Sequence, residues 1–267
     1  TADGGHYVQP VWSPDGQWIA FSRAGFGSIE LMRGDGTGRR LLVNAPRAGY
    51  RFAWSPDGEE IAFLTVEETD ARRRHRVCVV EVETGRLRTL SESAEEISWP
   101  QWQLDRAGKR VVWLAFGPEG PSGWRRNAAT PRPLRRGFTR PAAAATNGLV
   151  FYRDGHVWIW DAKQDAPRRL SREHGLNPVR SPDGRRIVFS ELNTLVIVNA
   201  DGSELRELAR GHHPAWSPDG LKLVFDVARD DGHRITSSEL FVINADGSQL
   251  TPLTQTPEAL ETEPDWS

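Results

Sequence analysis

Trp-Ser-Pro-Asp-Gly at residues 12–16 is followed by Trp-Ile-Ala-Phe-Ser at residues 18–22. Proline presets φ for the second position of a type I turn, aspartate suits the third, and glycine accepts the left-handed conformation that closes a hairpin. The flanking residues are apolar, β-branched or aromatic, as in strands. The pattern therefore predicts a tight β-hairpin.

The same hairpin pattern recurs along the chain. Complete copies stand at residues 54–58 and 216–220, and a fourth copy at 181–184 has Arg180 in place of the tryptophan. One such hairpin cannot bury its apolar face alone, so recurrence at intervals of roughly 40 residues indicates a repeat architecture. Trp102 marks a degenerate third repeat, and the fourth, around residues 142–148, lacks the motif.

Each repeat accommodates four short strands, and no segment has helical periodicity. The sequence therefore predicts an all-β fold, a six-bladed β-propeller of four-stranded antiparallel blades. We expect one domain over residues 1–267. Its predicted blades are residues 8–46, 47–94, 95–138, 139–174, 175–210 and 211–257, with 258–267 as a closing or seventh-blade segment.

Composition excludes several classes of protein. The 267 residues are 38% hydrophobic and 26% charged, which is typical of a soluble globular protein. A net charge of −2 argues against a surface built for nucleic acid. Apolar runs are only of strand length, so we expect no membrane insertion. The single cysteine, Cys78, excludes an internal disulfide framework and a thiolate metal site.

The repeats resemble those of the TolB-like propellers, also called WD40-like or PD40 repeats. The resemblance rests on the four motif copies and covers the chain from about Val8 to Ser267. It implies a TolB-like propeller and an extracytoplasmic setting, periplasmic or secreted. The family includes scaffolds, sensor domains and the propellers of some serine peptidases, so it does not fix the function.

Binding residues are expected in the loops that lead into the first strand of each repeat, here called lead-in loops. In a propeller these loops gather at one mouth of the central channel, where pockets form preferentially. The positions three and four residues before each motif tryptophan carry aromatic, arginine, histidine and amide side chains. We predict a ligand-binding rim that contains Tyr50, Arg51, Trp99, Arg140, Asn177, His212 and His213.

No constellation for catalysis or metal binding is predicted. The motif residues Asp15, Asp57, Asp183 and Asp219 each belong to the turn of their own repeat, so they do not converge. The chain has no Gly-x-Ser-x-Gly nucleophile motif. His212 and His213 are adjacent, and one such pair supplies too few ligands for zinc. We therefore predict no catalytic residue, no metal and no cofactor.

The preferred interpretation is a non-catalytic, monomeric scaffold whose rim binds another protein, a peptide or a glycan, and not nucleic acid. Tyrosine, tryptophan and arginine dominate binding hot spots, which favours this interpretation. Two alternatives stay open. One is a propeller hydrolase or lyase that acts at the channel mouth. The other is the propeller portion of a larger sensor or serine peptidase.

Overall fold

We describe the protein from a computed structural model. The structure describes residues 5–69, 72–90, 99–104, 110–116, 120–125, 149–160, 167–231, 233–256 and 259–266. The chain forms two compact units, unit 1 with residues 1–146 and 162–166, and unit 2 with residues 147–161 and 167–267. The prediction of one domain over the whole chain is not tested by this division and stays a prediction.

Unit 1 contains two four-stranded antiparallel sheets and one three-stranded sheet, each an uncrossed meander. The first sheet comprises β1 (Tyr7–Trp12), β2 (Trp18–Arg23), β3 (Ser28–Arg33) and β4 (Arg40–Asn44). The second comprises β5 (Ala53–Trp54), β6 (Glu60–Thr69), β7 (Arg72–Glu81) and β8 (Leu87–Thr89). The third comprises β9 (Gln101–Leu104), β10 (Arg110–Phe116) and β11 (Gly120–Arg125).

Unit 2 repeats the same organisation, with one three-stranded sheet and two four-stranded sheets. The first comprises β12 (Leu149–Arg153), β13 (His156–Trp160) and β14 (Arg168–Arg169). The second comprises β15 (Gly175–Arg180), β16 (Arg186–Glu191), β17 (Thr194–Asn199) and β18 (Arg206–Arg210). The third comprises β19 (His212–Trp216), β20 (Lys222–Asp230), β21 (Ile235–Asn244) and β22 (Thr251–Pro252).

The all-β prediction of four-stranded antiparallel blades is confirmed, but the predicted number of six such blades is not. Four sheets have the full four strands, and the other two have three described strands each. These two are the repeats that lack the turn motif. The fourth strand predicted for the third repeat and the first strand predicted for the fourth lie outside the described residues.

The motif forms the predicted turn in each of its four copies. Ser13 Oγ donates to Asp15 Oδ1 at 2.5 Å and accepts from the Trp18 amide at 2.9 Å. The turn glycines have φ between 68° and 72°, the left-handed region that glycine adopts without strain. The motif serine is buried in all four copies. Its hydroxyl therefore stabilises the turn from the buried side.

The apolar cores lie between successive sheets of each unit. Alternate residues of one strand face opposite sides, so Phe63 of β6 packs toward the first sheet and Ala62 toward the third. Trp54 is 8% exposed and its Nε1 donates to the Val11 carbonyl oxygen of β1 at 3.2 Å. The motif tryptophan thus joins two neighbouring sheets by packing and by a hydrogen bond.

Cys78 has the buried position that the strand pattern predicts. Cys78 is buried on β7, and burial raises the pKa of its thiol, as expected for a small packed side chain. Among the described residues there is no helix long and apolar enough to cross a membrane.

The tryptophan contact predicts a large stability difference between two substitutions. Trp54→Ala should lower the free energy of unfolding by about 3–5 kcal/mol, because it leaves a cavity between two sheets. Trp158→Ala is the matched control, because Trp158 is only half-buried, and it should cost clearly less. Urea unfolding followed by circular dichroism measures both. Equal losses for the two variants would contradict the role given to the motif tryptophan.

Candidate ligand-binding sites

The residue three positions before the motif tryptophan has an unusual backbone in most repeats. Five such residues have a left-handed φ between 47° and 57°: Gln9, Arg51, Asn177, His213 and Glu263. None is glycine, and this region costs a non-glycine residue about 1–3 kcal/mol. The strain is therefore a recurring feature of the lead-in position.

In three repeats a β-bulge accompanies this conformation. The strand register shifts between Val8 and Val11 in β1, and between Leu176 and Val179 in β15. The register also shifts between His212 and Ala215 in β19. A bulge inserts an extra residue and re-aims its side chain. Each bulge thus presents a polar side chain at the start of a first strand.

Unit 1 collects aromatic and arginine side chains beside the lead-in loop of the second repeat. The rings of Tyr50 and Trp99 meet edge to face with centroids 4.9 Å apart, and Phe26 meets Tyr50 at the same distance. The Arg51 guanidinium carbon lies 5.6 Å from the Trp99 centroid, and that of Arg47 lies 5.4 Å from the Tyr50 centroid. We call these five residues the aromatic–arginine cluster.

The backbone around the cluster is held by specific contacts. The Gln9 side-chain oxygen accepts from the Arg51 amide at 2.8 Å, which links the left-handed lead-in positions of two successive repeats. The Gly49 amide donates to the Phe26 carbonyl at 3.1 Å. A Cβ at Gly49 would lie 1.9 Å from Ser22 Oγ, so only glycine fits this approach. The cluster is therefore preorganised by its own loop.

A histidine near the cluster senses the charge of its arginines. His75 on β7 has its pKa lowered, first by burial and then by the charges of Arg47 and Arg73. The lowered pKa favours the neutral form of His75 at pH 7. The four residues Phe26, Tyr50, Arg51 and Trp99 are half-buried, and Arg47 is exposed. The cluster offers apolar faces and guanidinium groups to a partner.

Unit 2 has a different arrangement at the equivalent bulge of β19. His213 Nδ1 lies 2.7 Å from Asp226 Oδ1, and the Asp226 side chain is only 2% exposed. The Glu263 amide donates to the same oxygen at 3.2 Å. The His213 side chain is 36% exposed. A buried carboxylate therefore orients a histidine that still reaches the surface.

His212 lies beside this pair, with the two imidazole centroids 6.2 Å apart. Burial lowers the pKa of His212, and the charges of His213 and Arg210 lower it further, against the opposing effect of Asp226. His212 is thus neutral at pH 7. Within the part of the chain that the structure describes, no group of three or more His, Cys, Asp or Glu side chains could hold a metal ion.

The structure assembles the predicted rim residues only in part. Tyr50, Arg51 and Trp99 contact one another in unit 1, and His212 and His213 lie together in unit 2. Asn177 occupies the equivalent bulge of β15, and β15 packs against β19. Arg140 lies outside the described residues. The binding role of all seven residues stays a prediction.

Three residues of these sites were not predicted from the sequence. Phe26 and Arg47 come from a turn and a loop without a motif, so nothing marks them. Asp226 had a signal, because it follows Leu-Val-Phe where two other repeats have a serine, Ser22 and Ser190. The other repeats have serine, leucine or tyrosine at this position, so a carboxylate there departs from the repeat pattern.

The motif aspartates have the structural role that the sequence predicts. The Ser217 hydroxyl, then the Leu221 amide, hold the pKa of Asp219 below its usual value. The pKa of Asp183 is lowered in the same way by Ser181 and Arg185. These carboxylates remain charged in neutral solution, but their partners are residues of their own turns. They do not form a shared site.

Known proteins resemble this chain in sequence over short segments. No protein-family model matches the chain. The Tol-Pal system protein TolB of Gluconobacter oxydans is 45% identical over 62 residues, which is 22% of this chain and 13% of that protein. An uncharacterized peptidase of Sinorhizobium fredii, y4sO, is 36% identical over 86 residues, which is 32% of this chain and 12% of the peptidase. The similarity thus spans a small part of both relatives.

The solved structures resemble the chain over nearly its whole length. TolB from Acinetobacter baumannii superimposes with a TM-score of 0.59 at 15% sequence identity, and the match covers 98% of this chain and 57% of that one. Identity at this level shows the fold alone. The chain has the fold of a TolB-like β-propeller built of four-stranded antiparallel blades.

The buried Asp226 predicts a specific loss of stability. Asp226→Ala should lower the free energy of unfolding by about 1–3 kcal/mol, because His213 Nδ1 and the Glu263 amide lose their shared acceptor. The control Asp230→Ala removes an exposed carboxylate from the same strand and should change it by less than about 0.5 kcal/mol. Urea titration gives both values. An unchanged free energy of unfolding for Asp226→Ala would contradict the anchoring role of this carboxylate.

Proposed function

We propose that this chain is a non-catalytic binding module, and that its aromatic–arginine cluster recognises an extended peptide segment of another protein. The observation that carries the proposal is the Arg51 guanidinium over Trp99 and Tyr50, on a strained backbone. Strained non-glycine residues concentrate at ligand clamps and active sites. Tyrosine, tryptophan and arginine are the residue types that contribute most to binding hot spots.

The chemistry of the cluster favours a partner with both apolar and carboxylate groups. Edge-to-face rings leave apolar surface at the cluster, and two arginines lie near one tyrosine ring. Arginine recognises carboxylates through paired hydrogen bonds. A peptide with acidic or aromatic side chains supplies both kinds of group. The sequence also suggested a glycan as partner, and the binding test below distinguishes a glycan from a peptide.

The proposal also covers the oligomeric state and the location of the protein. We infer a monomeric propeller and an extracytoplasmic location, periplasmic or secreted. The fold likeness to TolB supports the location only by analogy. Since the relatives are longer than the matched segments, we also infer that such a propeller can serve within a larger protein.

One observation favours an enzyme as the second candidate. The His213–Asp226 pair has the geometry that orients a general base, and one relative is named a peptidase. However, within the described residues no hydroxyl or thiol is hydrogen-bonded to the other ring nitrogen of His213. An oriented base without a nucleophile is an incomplete hydrolase site. Binding is therefore the preferred function.

Peptide and glycan arrays probed with the purified chain test the binding proposal. For the best peptide, Arg51→Ala and Trp99→Ala should each weaken binding by more than about 1 kcal/mol, roughly fivefold or more. The matched control is Arg33→Ala, because Arg33 lies 4.7 Å over Trp18 near the turn motif of the first sheet. Its Kd should stay that of the wild type. Equal weakening by Arg33→Ala, or binding to glycans alone, would overturn the proposal.

A substrate screen tests the second candidate. The wild-type chain should show no turnover of peptidase, esterase or polysaccharide lyase substrates, because the oriented histidine lacks a nucleophile. His174→Gln provides the control, since His174 is a histidine of unit 2 outside the His213–Asp226 pair. Turnover that His213→Gln and Asp226→Asn abolish and His174→Gln preserves would establish an enzyme.

A further inference from the structure

The two arginines of the aromatic–arginine cluster have different surroundings. Arg51 is half-buried, and its guanidinium carbon lies 5.6 Å from the Trp99 centroid and 6.0 Å from the Tyr50 centroid. Arg47 is exposed, and its guanidinium carbon lies 5.4 Å from the Tyr50 centroid. Among the residues that the structure describes, no carboxylate pairs with Arg47. Arg51 therefore packs with the rings, whereas Arg47 presents its charge to the solvent.

The loop around Arg47 is held by its own hydrogen bonds. The φ of Arg47 is 62°, a left-handed conformation that costs free energy for a residue other than glycine. The Tyr50 amide donates to the Arg47 carbonyl at 3.0 Å. The carbonyl of Pro46 accepts from the Val66 amide and from the Thr65 hydroxyl, each at 3.2 Å. These contacts fix the loop to β6 and preorganise Arg47.

His75 lies beside this loop on the adjoining strand. It pairs in register with Val66, the residue whose amide is bonded to Pro46. The ring is half-buried, and burial lowers the pKa of His75. The positive charges of Arg47 and Arg73 lower the pKa of His75 further. A proton on His75 is therefore disfavoured as long as no anion offsets these charges.

The other groups around His75 belong to its own hairpin and to the third repeat. Arg73 stands two residues away on the same face of β7, and its register partner on β6 is Glu68. Glu67 lies on the opposite face, and its carboxylate is bonded to Arg76 at 2.8 Å. Two partly buried tryptophans of the third repeat pack against this side of β7, and they carry no charge. Within the described side chains, the charges that act on His75 are those of arginines.

This arrangement suits a carboxylate more than a neutral group. A guanidinium such as that of Arg47 binds a carboxylate through paired hydrogen bonds. A protonated imidazole is a donor at both ring nitrogens, so His75 can add a further bond. The negative charge of the ligand also opposes that of the arginines, which raises the pKa of His75 in the complex. A neutral ligand has none of these effects.

We propose that Arg47 and His75 form a carboxylate subsite of the aromatic–arginine cluster, and that His75 takes up a proton when the carboxylate binds. The subsite deepens the proposed function and rests on it in one respect, namely that the cluster contacts a peptide. The rings of Tyr50 and Trp99 contact an apolar side chain of that peptide. The carboxylate is that of an acidic side chain or of the peptide carboxyl terminus.

Proton uptake makes the affinity depend on pH. Because binding raises the pKa of His75, the complex holds more protons than the separate molecules. The affinity therefore increases as the pH falls through the pKa of bound His75, and it becomes constant below that of free His75. Peptide carboxylates have ordinary pKa values of about 4, so they stay ionised at about pH 5.5. An acidic peptide should bind at least about threefold more tightly at about pH 5.5 than at about pH 7.5.

NMR of the His75 ring, followed from about pH 5 to about pH 8, tests the subsite with three defined probes. The first is an acetylated Phe-Glu-Ala amide, whose only charge is the side-chain carboxylate. The second has Gln in place of Glu and is neutral. The third is the neutral probe with a free carboxyl terminus. A charged probe should raise the pKa of His75, and the neutral one should not. A rise with one charged probe alone identifies the source of the carboxylate and supports the subsite.

Matched variants connect the effect to the two residues. Arg47→Gln should abolish the effect of the probes and should itself raise the pKa of free His75, because one of the charges that lower it is removed. The control is Arg76→Gln, since Arg76 lies on the same strand and is bonded to Glu67. It should leave the effect of the probes intact. His75→Gln should retain binding at about pH 7.5 and lose the strengthening at about pH 5.5.

The results separate the subsite from the proposed function. An unchanged pKa of His75 with both charged probes, or an equal rise with the neutral probe, would overturn the subsite. An Arg47→Gln variant that responds as the wild type does would also overturn it. If Arg51→Ala and Trp99→Ala weaken the array peptide while the charged probes fail, only the subsite is refuted. If the charged probes succeed and no array peptide binds, the proposed function is refuted and carboxylate binding remains.

Discussion

The rest of the structure depends on the hydrogen bond from a motif tryptophan to the preceding first strand. Trp54 Nε1 donates to the Val11 oxygen, Trp102 to that of Ala53, and Trp216 to that of Val179, at 3.0–3.2 Å. In each case the acceptor residue immediately precedes the motif position of the previous repeat. The indole therefore fills the space between two sheets and sets the offset of their first strands. A buried indole N–H needs an acceptor, so packing and register are specified together.

This offset gives the lead-in bulges their regular placement within each unit. The same strained position carries arginine over aromatic rings in unit 1, and histidine on a buried carboxylate in unit 2. The hairpins repeat the same turn residues, whereas the residues at the lead-in position differ from repeat to repeat. Sites of this kind, placed on a repeated scaffold, decide function where the fold does not.

Much of the fold could be predicted because the turn and the tryptophan are local signals. The strands of the third and fourth repeats were harder to predict, because these repeats lack the turn residues that locate the hairpin in the others. The lead-in positions could be counted, but their left-handed conformation could not, because nothing in Gln9, Arg51 or His213 signals a positive φ. Asp226 could be recognised as unusual only by aligning the repeats with one another. Phe26 contacts Tyr50 through tertiary packing, which no local pattern records.

The most direct test of a binding role for the aromatic–arginine cluster is an indole N–H spectrum of the chain titrated with the best array peptide. Trp99→Phe and Trp18→Phe assign the two signals of interest. The Trp99 signal should shift saturably with peptide, because its ring contacts Tyr50 and Arg51 at the cluster. The Trp18 signal should stay constant. An unmoved Trp99 signal under saturating peptide, or a larger shift of Trp18, would contradict the account.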